Sequence, residues 1–305
     1  MRNTLRHPLY RRKDGATLLR LLDHARYEVL PTPTIEDKVL AAVPRDVEIT
    51  VTASPGKGLE STLALAERFA GHGYAVVPHL AARMVTDRAE LTEIVARLRE
   101  AGISRVFVPG GDASPAGDYP DALSLLEDLT ALGSPFDHVG VTGYPESHPT
   151  IHDDLTVQAM WDKRRHATHI VSNLTFDPAQ IKDWLHRVRL RGITLPLLLG
   201  VPGPIDRAKL LGMATKIGVG DSTRFLAKQG GLMTRLVAPG GFTGERFLTA
   251  CAPTLGDPEA RVEGLHVYTF NQVAETQAWR RDLVARLRHE VGHEGGPEAG
   301  PERPE

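Results

Sequence analysis

Arg105-Val-Phe-Val-Pro-Gly-Gly-Asp-Ala-Ser114 is the stretch around which the rest of the chain is arranged. Its apolar run stops at a proline and two glycines, which is the pattern of a short buried strand. Glycine has no Cβ, so the backbone can turn tightly there. Asp112 follows directly, and parallel α/β enzymes keep their chemistry just past the C-terminal ends of such strands. The alternative is an ordinary tight turn in which Asp112 caps the next element.

Similar apolar runs recur on both sides of this stretch and alternate with helical patterns. The candidate strands are Arg26–Pro31, Glu48–Ala53, Ala75–Leu80, Arg105–Val108, Val139–Tyr144, His169–Thr175, Pro196–Val201 and Gly264–Phe270. Eight strands, most of them followed by a helix, are the number found in a (β/α)8 barrel. We therefore predict an α/β fold of the single-domain TIM-barrel type. A doubly wound open sheet is the second choice, because no Gly-x-Gly-x-x-Gly turn follows the first strand.

The helical patterns have an apolar period near 3.6 residues. They are Ala16–Asp23, Gly58–Ala70, Asp87–Ala101, Asp121–Leu132, Leu155–His166, Ala179–Arg191, Ile205–Ile217 and Val273–His289. The long interval between strands seven and eight predicts extra helices there, over Asp221–Gly231 and Gly244–Thr254. We expect an N-terminal extension over residues 1–23, the barrel over 24–290, and a disordered Gly-, Pro- and Glu-rich tail over 291–305.

Composition and charge restrict the possible classes of protein. The chain has 305 residues, of which 41% are hydrophobic and 24% charged, as in a globular protein. Its net charge of −2 offers no basic field, so we expect no nucleic-acid partner. The single cysteine, Cys251, is expected in the core and fits a reducing, cytoplasmic setting. No signal peptide or membrane span is expected, and the oligomeric state is left open, with a homo-oligomer as one option.

Polar residues follow the predicted strands at their C-terminal ends, where a barrel gathers them around one cavity. They are Glu28, Thr52, Ser54, His79, Asp112, Tyr144, Glu146, His148, Asn173, Tyr268 and Asn271. Each has a structural alternative: Glu28 as a carboxylate paired with a barrel arginine, for example, or His79 as a hydrogen-bonded core histidine. Together on one rim, acids, imidazoles, amides and phenols indicate a binding or catalytic site.

Five stretches in this order resemble the methylenetetrahydrofolate reductase family. They are Tyr27-Glu-Val-Leu-Pro31, Pro78-His-Leu80, Gly110-Gly-Asp112, Gly143-Tyr-Pro-Glu-Ser-His-Pro149 and Leu265-His-Val-Tyr-Thr-Phe-Asn271. The fourth and fifth are the specific ones, and the resemblance runs from about residue 24 to residue 285. It implies a (β/α)8 barrel that binds FAD, oxidises NAD(P)H and reduces 5,10-methylenetetrahydrofolate to 5-methyltetrahydrofolate. A reduced folate is then the small-molecule partner, and the pathway is the one-carbon metabolism that serves methionine biosynthesis.

The resemblance also implies roles for individual residues. Glu28 matches the family's general acid, which protonates N10 of the folate, and Asp112 matches the aspartate that binds the pterin and offsets its positive charge. Asn173 falls where the family has a folate-binding glutamine. The implied flavin contacts are Thr52, Ser54, His79, Gly111, Asp112, Tyr144, His148 and Lys163. An acid that holds its proton near neutral pH needs a raised pKa, which burial among apolar strand residues would supply.

The chain departs from the family pattern at several positions. Val29 and Leu30 replace two phenylalanines, Gly110 replaces an arginine expected near the flavin, and Thr156 falls where the family has an aspartate. Direct hydride transfer from NAD(P)H to the folate is therefore an alternative to a flavin. Two further alternatives are a barrel lyase or metal-dependent hydrolase using Glu28, Asp112 and His148, and a non-catalytic folate- or flavin-binding barrel. We predict no metal site.

Overall fold

The computed structural model describes residues 12–148, 151–204 and 244–293. The strands are β1 (Ala25–Val29), β2 (Ile49–Val51), β3 (Val76–Pro78), β4 (Arg105–Val108), β5 (His138–Gly143), β6 (His169–Ser172), β7 (Leu197–Pro202) and β8 (Val262–Tyr268). The helices are α1 (Arg12–Asp23), α2 (Ile35–Ala42), α3 (Gly58–Gly71), α4 (Arg88–Glu100), α5 (Ala122–Ala131), α6 (Asp153–Lys163), α7 (Pro178–Leu190), α8 (Gly244–Leu255) and α9 (Val273–His293), with 3-10 turns at Ala82–Met84 and Pro258–Ala260.

The eight strands form one parallel sheet in the order β3-β2-β1-β8-β7-β6-β5-β4. A parallel bridge between His79 and Phe107 joins the two outer strands, β3 and β4, and closes the sheet. The predicted (β/α)8 TIM barrel is therefore confirmed. All eight predicted strands are present, with bounds that differ from the sequence expectation by a few residues, as is usual for strand ends.

The predicted helices inside the described residues are also present, and one further helix was missed. α2 buries only Ile35 and Val39, which is too short an apolar pattern to recognise from sequence. The extra helix predicted over Gly244–Thr254 is α8, whereas the segments Ile205–Ile217 and Asp221–Gly231 lie outside the described residues. Among the described helices, none combines the length and apolar character needed to cross a bilayer.

Aspartates begin several helices of the barrel wall. Asp87, Asp121 and Asp177 each accept a hydrogen bond from a backbone amide in the first turn of α4, α5 and α7. Such N-caps satisfy an amide that would otherwise have no partner and typically contribute about 1 kcal/mol each. They fix where each helix starts, and hence the length of the loops at the rim.

Alternate residues of the strands face two different cores, as the twofold repeat of a strand requires. One set packs with the helices and includes Tyr27, Val76 and Val106, while Val77, Phe107 and Val171 form a separate apolar cluster. The buried polar residues on the interior side of β1, β2 and β8 and at the end of β3 include Arg26, Thr50, His266 and His79. Barrel interiors are usually filled by Val, Ile and Leu. The polar interior therefore marks the part of the fold where function is to be sought.

Candidate active site

Glu28 lies at the centre of the polar interior, near the C-terminal end of β1. Its Oε2 atom is 2.9 Å from Nε2 of His266, on the neighbouring strand β8, and 3.7 Å from Nε2 of His79, which follows β3. Its side chain is only 13% exposed. Among the described residues no arginine forms an ion pair with Glu28, and Arg26 instead pairs with Glu48 at 3.2 Å.

The protonation states of this group follow from burial. Burial raises the pKa of Glu28 to about 7, although the nearby His79 and Arg26 pull it down. Burial also lowers the pKa of His79 to about 4 and that of His266 well below its ordinary value. Near pH 7 the two imidazoles are therefore neutral, and Glu28 is present both as acid and as carboxylate. A general acid is most effective when its pKa lies near the working pH.

Tyr268 lies within electrostatic reach of both Glu28 and Tyr144. The ring of Tyr268 contacts that of His266 at 4.8 Å between centroids, and its hydroxyl donates to the carbonyl of Ser172 at 3.2 Å. Burial raises the pKa of Tyr268 well above its ordinary value, and the charge of Glu28 and Tyr144 add to this. The charges of both Glu28, in the barrel interior, and Tyr144, at the rim, therefore affect the pKa of the Tyr268 phenol.

At the rim, Tyr144 and His148 pack edge to face with 4.9 Å between their ring centroids. Burial raises the pKa of Tyr144, and the charge of Asp112 raises it further against a hydrogen bond with Thr142. Burial lowers the pKa of His148, while Asp112 opposes that change. Asp112 therefore lies within electrostatic reach of both rings. The structure thus brings together predicted residues that follow two neighbouring strands, β4 and β5.

The loop bearing Asp112 is held by close backbone packing. Gly111 has φ +81°, and a Cβ on it would stand 3.0 Å from the Cβ of Ala81, so this position needs glycine. Arg83, in the 3-10 turn after β3, donates from Nε to the carbonyl of Ala113 at 2.9 Å and from Nη1 to that of Pro120 at 3.1 Å. The side chain of Asp112 itself is exposed, as a residue that meets a ligand would be.

The other predicted site residues differ in burial and in the hydrogen bonds that they make. Thr52 has a buried hydroxyl with no hydrogen-bond partner among the described residues. The carbonyl of Ser54 accepts two backbone amides at the start of α3. The side-chain oxygen of Asn173 accepts a hydrogen bond of 2.9 Å from the backbone amide of Leu174. Lys163 is 7% exposed at the end of α6, and burial lowers its pKa to about 8.

One rim residue from the specific family stretches has a structural role. Oε1 of Glu146 accepts hydrogen bonds from the hydroxyl of Thr175 at 2.9 Å and from the backbone amides of Phe176 and Asp177. These bonds hold the loop between β6 and α7. Glu146 therefore orders the rim, and its position in the motif does not by itself indicate chemistry.

Asn271 has a similar structural role, which gives a prediction about stability. Its side chain accepts from the amide of Leu30 at 2.8 Å and donates to the carbonyl of Leu30 and the hydroxyl of Thr32, with φ at 59°. Asn271→Ala should lower the free energy of unfolding by about 3 kcal/mol, since three hydrogen bonds and a left-handed conformation that Asn tolerates are lost. Urea unfolding measures this. Asn173→Ala, which removes one local bond, is the control, and equal small losses would contradict the assigned role.

Two residues of the interior were not assigned a role from sequence. Arg26 and His266 stand two positions before Glu28 and Tyr268 on their strands, and so face the same side. His266 lies within the stretch Leu265–Asn271 that resembles the family, but two positions below the rim. The twofold repeat of the strands was the signal that could have identified both.

A metal site is not supported by the described residues. In the ranges 12–148, 151–204 and 244–293, no group of three or more His, Cys, Asp or Glu side chains is arranged to hold a metal ion. Nδ1 of His148 accepts the amide of Ile151 at 3.1 Å, and Nδ1 of His152 accepts that of Asp154 at 3.4 Å. These two histidines, four residues apart, therefore accept hydrogen bonds from the backbone before and at the start of α6.

A cavity of about 820 Å³ lies at the opposite end of the barrel, near the N-terminal ends of the strands. Its walls include Arg26, Glu48, Arg105 and His169. In TIM-barrel enzymes this end contributes to stability, whereas the chemistry takes place at the C-terminal face. We therefore place the candidate site at the rim around Glu28 and Asp112.

Comparisons with known proteins bear on the family of this chain and on its fold. The sequence model for "Methylenetetrahydrofolate reductase" matches residues 34–221. Among solved structures, a lyase/mutase candidate from Burkholderia cenocepacia J2315 has a TM-score of 0.46 and 14% identity, covering 93% of this chain and 89% of its own. A phosphonomutase candidate from the same organism has a TM-score of 0.43 and 11% identity, covering 93% and 99%. Likenesses this low carry no argument about the reaction of this chain.

Proposed function

The chain belongs to the methylenetetrahydrofolate reductase family, and we propose that it reduces 5,10-methylenetetrahydrofolate to 5-methyltetrahydrofolate with NAD(P)H as electron donor. One observation carries the proposal: Glu28 is a buried carboxyl at the C-terminal face of the barrel with a pKa raised to about 7. A group of this kind can hold a proton near neutral pH and deliver it to a bound substrate.

Glu28 acts first in the proposed mechanism. It gives its proton to N10 of the folate, which breaks the bond between N10 and the bridging methylene and leaves an N5-iminium cation. A hydride added to that methylene completes the methyl group, so one proton and one hydride are consumed for each turnover. The neutral state of His79 and His266 keeps further positive charge away from the cation that forms beside them.

Asp112 stabilises the cation. Its carboxylate is exposed on the rim, within electrostatic reach of Tyr144 and His148, where a pterin ring could lie against these two side chains. A fixed negative charge near developing positive charge lowers the barrier most when substrate binding removes water from around it. Asn173, on the same rim, is proposed to bind the folate as well.

FAD is the cofactor that members of this family generally bind. Buried polar groups that lack a hydrogen-bond or ion-pair partner among the described residues support FAD binding by this chain in part. The hydroxyl of Thr52 and Nε2 of His79 are buried with no hydrogen-bond partner among the described residues. The ammonium of Lys163 is buried and likewise has no ion pair within those residues, which suits an anionic group. The proposed flavin contacts are Thr52, Ser54, His79, Gly111, Asp112, Tyr144, His148 and Lys163. When bound, FAD would carry the electrons from NAD(P)H to the folate.

The proposed reaction is tested by incubating the purified protein with methylenetetrahydrofolate and either NADH or NADPH, with and without added FAD. We expect 5-methyltetrahydrofolate, identified by mass spectrometry, together with oxidised nucleotide in equal amount. Heat-denatured protein is the control. Absence of the product with both nucleotides, in the presence of FAD, would reject the proposed function.

The flavin assignment has a separate test in which binding is measured directly. Titration of flavin-free protein with FAD should quench flavin fluorescence, and Lys163→Met should weaken the affinity about tenfold, as expected for the loss of one charged hydrogen bond. Lys182→Met, which removes an exposed lysine of α7, is the matched control. Full reductase activity in protein that does not bind FAD would reject the flavin and favour direct hydride transfer.

A further inference from the structure

A single imidazole connects Glu28 to a buried arginine. Arg26, which is 4% exposed, donates from Nε to Nδ1 of His266 at 3.1 Å. Nε2 of the same ring lies 2.9 Å from Oε2 of Glu28. Because all three side chains come from adjacent strands β1 and β8, the strand pairing itself sets this row of groups.

The direction of each hydrogen bond in the row is determined. A guanidinium has donors only, so Nδ1 of His266 must be the acceptor and carries no proton. A neutral imidazole then has its single proton on Nε2 and donates it to Oε2 of Glu28. A second proton on the ring is disfavoured, since burial and then the charge of Arg26 lower the pKa of His266 well below its ordinary value.

We propose that His266, fixed by Arg26, is a positioning residue that keeps the transferable proton of Glu28 on its Oε1 atom. The inference rests on the proposed role of Glu28 as general acid. Oε2 already accepts an N–H, so a proton placed there would point at the proton of His266. Oε1 has no hydrogen bond to any described residue, which leaves it available to N10 of the folate.

Arg26 is held so that its Nε–H can point in one direction only. Its Nη1 contacts Oε1 of Glu48 at 3.2 Å and Nε2 of His169 at 3.3 Å, while the other oxygen of Glu48 accepts from Arg105 at 2.8 Å. Burial lowers the pKa of His169 to about 3, so this imidazole is neutral too. The ion pairs in this group are therefore those that Arg26 and Arg105 make with Glu48.

Among the described residues, the remaining titratable groups that face Glu28 lie after β3 and at the end of β8. They are His79, 3.7 Å from Oε2, and Tyr268, whose phenol is kept neutral by burial and by the charge of Glu28. Neither donates a hydrogen bond to Oε2. His266 is thus the group that decides which oxygen of Glu28 carries the proton.

The same row closes one route of proton supply. Arg26 does not release its proton at physiological pH, so a proton cannot pass from the cavity at the N-terminal end through Arg26 and His266 to Glu28. With that route closed, we expect Glu28 to recover its proton at the C-terminal rim after each turnover, from solvent or from the bound reactants. Its rate of reprotonation should therefore depend on whether a ligand covers that rim.

Nitrogen-15 NMR of the histidine-labelled wild-type protein tests the inference without reference to turnover. We expect His266 to show one unprotonated Nδ1 and one protonated Nε2, unchanged between pH 5 and pH 8, and the assignment is made with His266→Gln. A proton on Nδ1, or titration of the ring to the doubly protonated form in this range, would overturn the proposal. This holds even if the reaction proves to be a different one, so the two failures can be told apart.

Two matched variants test the consequence for the acid. In His266→Gln an amide N–H can replace Nε2–H, whereas in His266→Asn the shorter amide stops near the Nδ1 position. His266→Asn should lower kcat about tenfold or more and move the basic limb of the pH–rate profile up by about one unit, because a donor to the carboxylate is lost. His266→Gln should stay within a few-fold of wild type. If both variants keep the wild-type kcat and basic limb, His266 is not a positioning residue.

Discussion

Glu28→Gln should lower the rate of 5-methyltetrahydrofolate formation by about 10²–10⁴-fold, the usual contribution of a general acid. Glutamine keeps the size of the side chain, and its oxygen can still accept the Nε2–H of His266, so the buried row of hydrogen bonds is retained. What is removed is the transferable proton. Folate affinity should stay within a few-fold, as isothermal titration or substrate-dependent fluorescence would show.

The same substitution should stabilise the protein at alkaline pH. The pKa of Glu28 is about 7 in the folded state and near 4.5 when unfolded, so the folded state binds more protons between these values. Stability contributed by this group is therefore lost as pH rises through that window. The loss amounts to at most about 3 kcal/mol at pH 8 and falls below about 1 kcal/mol near pH 5. Glu28→Gln should raise the unfolding free energy at pH 8 by a comparable amount, with little gain at pH 5.

Glu146→Gln is the matched control for both effects. Glu146 is a second rim glutamate, from one of the two most specific family stretches, but its Oε1 only accepts hydrogen bonds from the loop after β6. A glutamine oxygen can accept the same bonds, so turnover should remain within a few-fold. If Glu28→Gln turned over as fast as Glu146→Gln, the general acid would have to be another residue.

The fold could be predicted from the sequence because the strands and helices of the barrel repeat simple local patterns. Apolar runs such as Val106–Val108 end at Pro or Gly, and the helices that follow begin at capping aspartates such as Asp87 and Asp121. Each of these signals depends only on residues close together in sequence, so it can be recognised without knowledge of the folded structure. α2 was missed for the same reason, since only Ile35 and Val39 of that helix are buried.

The buried part of the candidate site could not be obtained in this way, because it depends on contacts between strands far apart in sequence. The sequence predicted Glu28 and His79 on one rim, yet the described residue that contacts the carboxyl group of Glu28 most closely is His266 on β8, the strand that pairs with β1. The pKa of Glu28 also depends on burial, which needs the folded interior. Conversely, Glu146 and Asn271 lie in stretches that resemble the family, but in the structure their side chains form hydrogen bonds that hold loops.

Asp112→Asn should lower kcat/KM for methylenetetrahydrofolate by about 10²-fold, the scale on which removal of one preorganised electrostatic partner acts. Asparagine keeps the shape of the side chain on the loop after β4 but removes its negative charge. The backbone position is set by Gly111 and by the hydrogen bonds from Arg83, so the loop should be unchanged. The expected loss is therefore attributable to charge.

A second measurement follows the charge of Asp112 in the free protein. Asp112 raises the pKa of His148 against the lowering effect of burial, so the substitution should lower the pKa of His148 further. NMR titration of the histidines would report the change without any substrate. Glu28 lies beyond this pair, and the basic limb of its pH–rate profile should move little.

Asp118→Asn distinguishes the loss of a specific charge beside the pterin from a general change in the charge or order of the loop. Asp118 is an exposed acid on the same loop, and its backbone amide is bonded to the carbonyl of Thr86, so it shares the loop and the local charge. No electrostatic effect of Asp118 on Tyr144 or His148 is found, in contrast to Asp112. If only Asp112→Asn loses about 10²-fold, a charge placed beside the pterin stabilises the iminium. If both variants lose activity equally, the loss reflects the general charge or order of the loop, and the role proposed for Asp112 is wrong.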